Sequence, residues 1–356
     1  MFPFVVLLLV PILMQHIHVK RLPYQKKNRA ALAVFFLIYT LLLALRHGCV
    51  GTDTETYIDF FNQYAAMDWA EIRRIPYERG FVYFNKLVSC VSAQPQFYLA
   101  VVAVVISAMI YPTYKRLCRD TSLTIVLFCV ISTFVMSFSG IRQMIAIGLG
   151  TVAYELVRRR KLLLFLLTVW VAFSFHNSAF MLVFMYPMYH ARITRRKVIA
   201  LVPILAVVFA FNESIFSVLS LILERYTRFE TEINRTGAYT MLILFAAFAV
   251  MSYLFPKDEK LSEETIGMRN LLLLSVLIQM FVPLHTLVMR MNYYYIIFIP
   301  LLMPKIIEAR SERWNQIAMT ARHVMVVFFL LYFFVNASGG GNLDVFPYHF
   351  FWEGIG

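Results

Sequence analysis

The feature that most constrains this chain is a recurring unit: an apolar run of near membrane-crossing length, ending at a short charged cluster, repeated along the sequence. Hydrophobic residues make up 60% of the 356 and charged residues 15%, against about a quarter charged in a soluble domain. A water-exposed fold cannot cover so much apolar surface, so lipid must. Runs at 2–18, 30–45, 97–114, 122–138, 142–157, 162–177, 179–190, 198–212, 237–255, 268–285, 292–306 and 323–337 predict about 12 spans of a core roughly 30 Å thick. Two of them, 142–157 and 179–190, are short. Short spans are tolerated where protein or a water-filled cavity covers the backbone. The expected fold is therefore all-α, a single polytopic transmembrane helical bundle over residues 1–356. No stretch between clusters is long enough for a soluble domain. Met1–His18 has neither a basic start nor a small-residue cleavage site, so it reads as a retained first span.

Charge sets the orientation. The segments 20–29, 115–119, 158–161, 192–197, 257–269 and 305–322 hold 23 of the 33 lysines and arginines. The positive-inside rule places them in the cytoplasm and both termini outside. The net charge of +13 is thus a topology signal and not a nucleic-acid footprint. Nucleic acid is set aside as a partner. Three long segments fall outside: 46–96, 213–236 and 338–356. Within the first, Tyr57, Phe60, Phe61 and Tyr64 share one helical face, and Phe81, Phe84, Val88 and Val91 share another, which suits helices lying in the interface. The four cysteines lack metal-ligand spacing. Cys49 and Cys90 lie on the same side, and free thiols are expected there in preference to a disulfide.

Polar groups at membrane depth are costly and usually line a cavity that serves function. Five such groups fall on the outer side: Gly51-Thr52-Asp53-Thr54, Glu78-Arg79-Gly80-Phe81, Gly140-Ile141-Arg142-Gln143, His176-Asn177-Ser178, and Arg290 with Tyr293 and Tyr294. Each has a plain structural alternative. Thr52 and Glu55 fit a capping box around Asp53, Glu78 and Arg79 an exposed ion pair, and His176 a core histidine on a carbonyl. Arg142 and Arg290 can snorkel to the interface, and the two tyrosines can belong to an aromatic belt. Their gathering on one side favours a shared site. Arg142 has no acid close by on its own helix, Glu155 being nearly the whole span away, so a ligand phosphate is a reasonable partner for it.

The pattern of these residues resembles the EpsG family, relatives of the Wzy polysaccharide polymerases. The likeness rests on G-T-D-T-x-x-Y at Gly51–Tyr57, E-x-G-F at Glu78–Phe81, I-R-Q-x-x-A at Ile141–Ala146 and F-H-N-S-A at Phe175–Ala179, in that order. It implies a GT-C-like membrane glycosyltransferase architecture. The implied reaction is polymerisation of oligosaccharide repeat units carried on undecaprenyl diphosphate, at the outer face of a bacterial inner membrane. A hydroxyl of one repeat attacks the anomeric carbon of another, and lipid diphosphate leaves.

Such chemistry needs cations on the diphosphate and a base for the hydroxyl proton. Arginine suits the first demand through its permanent charge and fork of donors. Arg142, Arg290 and Arg225 are the expected diphosphate ligands, and Asp53, Glu78 or His176 the base, with no choice made among them. Thr52, Thr54, Tyr57, Gln143, Asn177, Tyr293 and Tyr294 are expected along the substrate groove. Asp53-Thr54-Glu55 is similar to an acidic metal motif of some membrane glycosyltransferases, but arginine alone can neutralise the leaving group, so no metal or cofactor is expected. The expected partners are the lipid-linked oligosaccharide as donor and acceptor, membrane lipid, a chain-length regulator and a flippase. A transporter or flippase for the same lipid-linked sugar, and an acyltransferase modifying surface glycans, are the competing readings. A transporter would carry its polar groups near the midplane, and an acyltransferase would want a histidine facing the acyl donor.

Overall fold

The computed structural model describes residues 1–16, 23–131, 133–222, 235–256, 258–338 and 343–354. Regular structure among these is helical, and isolated bridges pair Arg46 with Phe350 and Pro256 with Arg310. The chain divides into two compact units, Met1–Phe180 with Thr320–Gly356, and Met181–Met319.

The first unit contains α1 (Phe2–His16), α2 (Tyr24–Ala44), α3 (Thr54–Ala66), α4 (Trp69–Arg74), α5 (Arg79–Ser89), α6 (Pro95–Leu117), α7 (Thr121–Val130), α8 (Thr133–Ser139), α9 (Ile141–Arg158) and α10 (Leu162–Phe175). Most of the C-terminal helix Asn315–Ser338 also belongs to it. An aromatic core joins distant parts of the sequence. The Phe4 ring meets Phe134, Phe333, Phe346 and Tyr348 edge-on, at centroid distances of 4.7–6.2 Å. Edge-to-face packing aligns ring dipoles and adds to the gain from burial.

A polar pin holds the other end. Asp120 caps α7 through Oδ1, which accepts from the Leu123 amide and from Gln15, while Oδ2 pairs with Arg322. The Ser122 amide donates to Gln15 Oε1 at 2.8 Å and the Thr121 amide to Asn28 Oδ1 at 2.7 Å. Buried polar groups that all find partners fix one arrangement of helices.

The segment 46–96 contains two amphipathic helices. Tyr57, Phe61 and Tyr64 of α3 and Phe81 and Val88 of α5 are buried, whereas Val91 is exposed. Lys86 Nζ donates to the Ala65 and Met67 carbonyls, so it closes the C-terminal end of α3. The capping box expected at Thr52–Glu55 does not form: Asp53 occupies the N-cap of α3 without a side-chain bond. A capping box forms instead at Asp68 and Glu71 of α4.

Residues 343–354 fold back onto this segment. The Gly51 and Thr52 amides donate to the Asp344 and Leu343 carbonyls, and the His47 amide donates to His349. The Phe351 amide donates to Leu45, and the Tyr348 hydroxyl to Leu42. All four cysteines are free.

The second unit contains α11 (Met185–His190), α12 (Arg195–Ala210), α13 (Asn212–Ile222), α14 (Arg235–Leu254), α15 (Glu263–Gln279), α16 (Thr286–Ile296) and α17 (Ile299–Glu308). Helix α15 lies at its centre. Gly267 lets α15 approach α11, since a Cβ there would stand 2.3 Å from the Tyr189 ring. Asn270 donates to the Met188 and Ala191 carbonyls at the end of α11. Helix α12 buries no residue and, beyond its basic first turn of Arg195, Arg196 and Lys197, is apolar on all sides, as a lipid-facing helix is.

Among the described residues, four helices are long and apolar enough to cross a membrane: Tyr24–Ala44, Pro95–Leu117, Arg235–Leu254 and Glu312–Ser338. Counting three bent pairs as one span each raises this to seven, and Phe2–Gln15 and Leu162–Phe175 are shorter apolar helices. The 12 apolar runs also include α1, α10 and α15, whose 15, 14 and 17 residues fall short of that length. The run 122–138 divides into α7 and α8, bent by 56°, and 292–306 into α16 and α17, bent by 41°. Pro300 opens α17 and, lacking an N–H, cannot continue the ladder of α16. The run 179–190 is a 3₁₀ helix followed by six residues of α11.

Candidate functional site

Three segments far apart in sequence converge within the first unit. Pro76 precedes a short loop, and Glu78 takes the N-cap position of α5. Gly80 then lets the start of α5 abut α10. A Cβ at that position would stand 2.2 Å from Ser174 Oγ and 2.9 Å from the Ser174 carbonyl oxygen. That approach brings Glu78 to His176, which caps the C-terminus of α10. Gly140 ends α8 and opens α9, so that Arg142 falls in the first turn of α9.

The Arg142 Nη1 donates to Glu78 Oε2 at 2.6 Å. The other carboxylate oxygen, Oε1, lies 3.9 Å from His176 Nδ1. Side-chain exposures of 17%, 10% and 12% for Arg142, Glu78 and His176 place this triad at the edge of the core, reachable yet mostly dry. Aromatic rings surround the guanidinium: its Cζ is 4.5 Å from the Tyr77 centroid, 5.7 Å from Phe81 and 5.8 Å from Tyr57. Its Nε also donates to the Tyr57 hydroxyl at 3.4 Å. Ring faces attract a cation and leave its donor edges for oxygen ligands.

Helix electrostatics oppose this placement of Arg142. A cation in the first turn faces the positive end of the helix dipole, and α9 has no acid in its first turn and no side-chain cap. The carboxylate of Glu78 offsets both charges. The same helix start attracts any other anion. Burial pushes the Tyr77 hydroxyl up to about 12, with Arg142 acting in the opposite direction. Tyr77 thus stays protonated at neutral pH and is able to donate a hydrogen bond.

Scaffold bonds bring the start of α3 to the same place. Gly51 has φ of 95°, in the left-handed region, and a Cβ there would stand 2.2 Å from the Phe138 carbonyl oxygen. This close approach lets Thr54 Oγ1 donate to the Phe138 carbonyl at 2.9 Å, while the Asp53 amide donates to Ser139 Oγ at 3.2 Å. Glycine is the residue that fits there.

The EpsG family model matches residues 29–350 of the chain. The chain belongs to the EpsG family. No curated protein and no solved structure matches it. The match takes in all four motifs and spans both compact units of this EpsG-family chain.

Among the residues expected in the site, Glu78, Arg142, His176 and Tyr57 come together. Thr54 and Gln143 are buried, and the hydroxyl of Thr54 is committed to the Val50 and Phe138 carbonyls, so it holds the scaffold instead of lining a groove. Thr52 and Asn177 are exposed and Asp53 is half-buried. Arg290, Tyr293 and Tyr294 belong to α16 of the second unit, where Arg290 is exposed and both tyrosines are buried. Arg225 lies outside the described residues.

Arg142, for which a ligand phosphate was the expected partner, has a protein carboxylate 64 positions away in sequence. Tyr77 was missed, although it immediately precedes the E-x-G-F motif. Among the described residues no three His, Cys, Asp or Glu side chains gather to hold a metal. Replacing Gly80 with alanine should force α5 off α10. We expect a loss of about 1–3 kcal/mol in stability, measured as a lowered unfolding midpoint in detergent. An unchanged midpoint would mean that Ser174 yields freely.

Proposed function

We propose that this chain polymerises oligosaccharide repeat units carried on undecaprenyl diphosphate. The observation that carries the reading is the Glu78–Arg142–His176 cluster, built from three of the four motifs that carry the resemblance, within the stretch the EpsG family model matches. Arg142, caged by Tyr57, Tyr77 and Phe81, binds the diphosphate of the donor and stabilises the charge that develops as it leaves. Glu78 and His176 lie where one of them can accept the proton of the attacking hydroxyl. The bond formed joins that oxygen to the anomeric carbon, and the bond broken releases lipid diphosphate. Aromatic faces beside the guanidinium supply stacking surfaces for sugar rings. Asp53, Arg290 and Arg225 are secondary candidates for the same reaction.

The proposal includes the topology that charge implies: basic loops in the cytoplasm, the 46–96 segment on the outer side of a bacterial inner membrane, and a GT-C-like bundle of about 12 spans. A chain-length regulator and a flippase would be its working partners. Purified protein mixed with lipid-linked repeat units should yield a ladder of products spaced by one repeat. Unchanged single repeats from well-folded protein would refute the polymerase reading. In a deletion strain, repeats trapped inside the cell would identify a flippase instead.

A further inference from the structure

A second arginine in the first unit has no use in the mechanism above. Arg46 follows the end of α2, and its side chain is wholly enclosed, at 0% exposure. The cover is the returning tail: Arg46 bridges Phe350, the Phe351 amide bonds to Leu45, and the His47 amide to His349. Enclosing an isolated charge is costly, so buried cations normally have an anionic partner. Among the described residues, the ionisable groups that act on Arg46 are Tyr39, Tyr98 and Tyr348, all uncharged at neutral pH, with no carboxylate among them. The Phe138 ring lies 6.0 Å from its Cζ.

One nitrogen is accounted for, since Nη1 donates to the Leu43 carbonyl at 2.6 Å. That carbonyl belongs to the negative end of the α2 dipole and offsets part of the charge. The Nε and Nη2 atoms are buried without a partner. These two share one edge of the planar fork and point the same way, which is the geometry that grips a single acceptor from two sides. Burial holds the guanidinium down to about 10, so it remains charged at neutral pH.

We propose that the free edge of Arg46, beneath the C-terminal tail, is a binding site for one small monovalent anion of the halide class. A side chain with no exposure is out of reach of a lipid diphosphate in the membrane, and one positive charge calls for one negative charge. The bound ion would fasten residues 343–354 to residues 45–52 and thereby steady the start of α3. This does not depend on the polymerase reading.

The test is thermal unfolding of the purified full chain in sodium chloride against sodium gluconate at equal ionic strength. The midpoint should rise by roughly 2 to 4 °C in chloride and saturate with concentration. Arg46→Met should abolish the difference. Equal midpoints for the wild type, or a chloride effect that persists in Arg46→Met, would overturn the proposal. Stabilisation by inorganic pyrophosphate but not by chloride would overturn the halide assignment. Should Arg46→Met fail to fold, crystals of the wild type grown in bromide decide the matter. An anomalous peak beside Nε and Nη2 supports the site, and its absence refutes it.

Discussion

Replacing Arg142 with alanine should slow chain extension by about two orders of magnitude or more, the usual consequence of removing a charge that stabilises a transition state. Lysine should restore only part of the rate, because a single ammonium cannot reproduce the fork of donors that Arg142 offers from within its aromatic cage. The pairing with Glu78 supplies a structural alternative that must be separated from this. Loss of the arginine leaves a half-buried carboxylate without its partner, which by itself can destabilise the protein. The double variant Arg142→Ala with Glu78→Ala removes both charges and resolves the two cases. If the pair only holds α5 against α9, the double variant should regain the stability lost by Arg142→Ala, with chain extension near the wild-type rate. If Arg142 contacts the leaving diphosphate, the double variant, with its stability restored, should extend more slowly than Glu78→Ala alone, which by itself carries the loss of the carboxylate. Full-length polymer from Arg142→Lys, with undiminished binding of lipid diphosphate, would end the assignment.

The helical character, the amphipathic helices within 46–96 and the segments that meet at the candidate site were legible because each leaves a local mark. Tyr57, Phe61 and Tyr64 recur at helical spacing, and their burial on α3 follows from that spacing alone. Glu78, Arg142 and His176 stood out as polar groups beside apolar runs. What joins them leaves no such mark. The Arg142–Glu78 pair links positions 64 apart, and it depends on Gly80 letting α5 reach Ser174 of α10. An argument from one helix at a time could only note that Arg142 lacked an acid nearby. The breaks within apolar runs were hidden for a related reason: hydropathy averages across Pro300 as though it were any apolar residue, whereas the missing N–H divides the helix there. Nor was the return of residues 343–354 foreseeable. It is made by backbone bonds to 45–52, and backbone donors are the same in every sequence.

Glu78→Gln is expected to lower the rate of extension by about 100-fold to 10,000-fold, the range associated with loss of a general base. The amide keeps the size of the side chain and still accepts a hydrogen bond from Arg142, so the contact between α5 and α9 should persist. What disappears is the negative charge, and that has two consequences of opposite sign. Proton acceptance is lost, either directly or through His176, whose Nδ1 lies 3.9 Å from the same carboxylate. The competition for Arg142 is also lost, because Glu78 occupies the guanidinium edge that a diphosphate would use. Donor binding should therefore be unchanged or tighter in Glu78→Gln while turnover falls. A residue that merely orients Arg142 would give the reverse, weaker donor binding with a smaller change in turnover. The two are separated by measuring lipid diphosphate affinity alongside single-turnover extension. Normal extension by Glu78→Gln at normal abundance would leave Glu78 only the task of holding Arg142 in place.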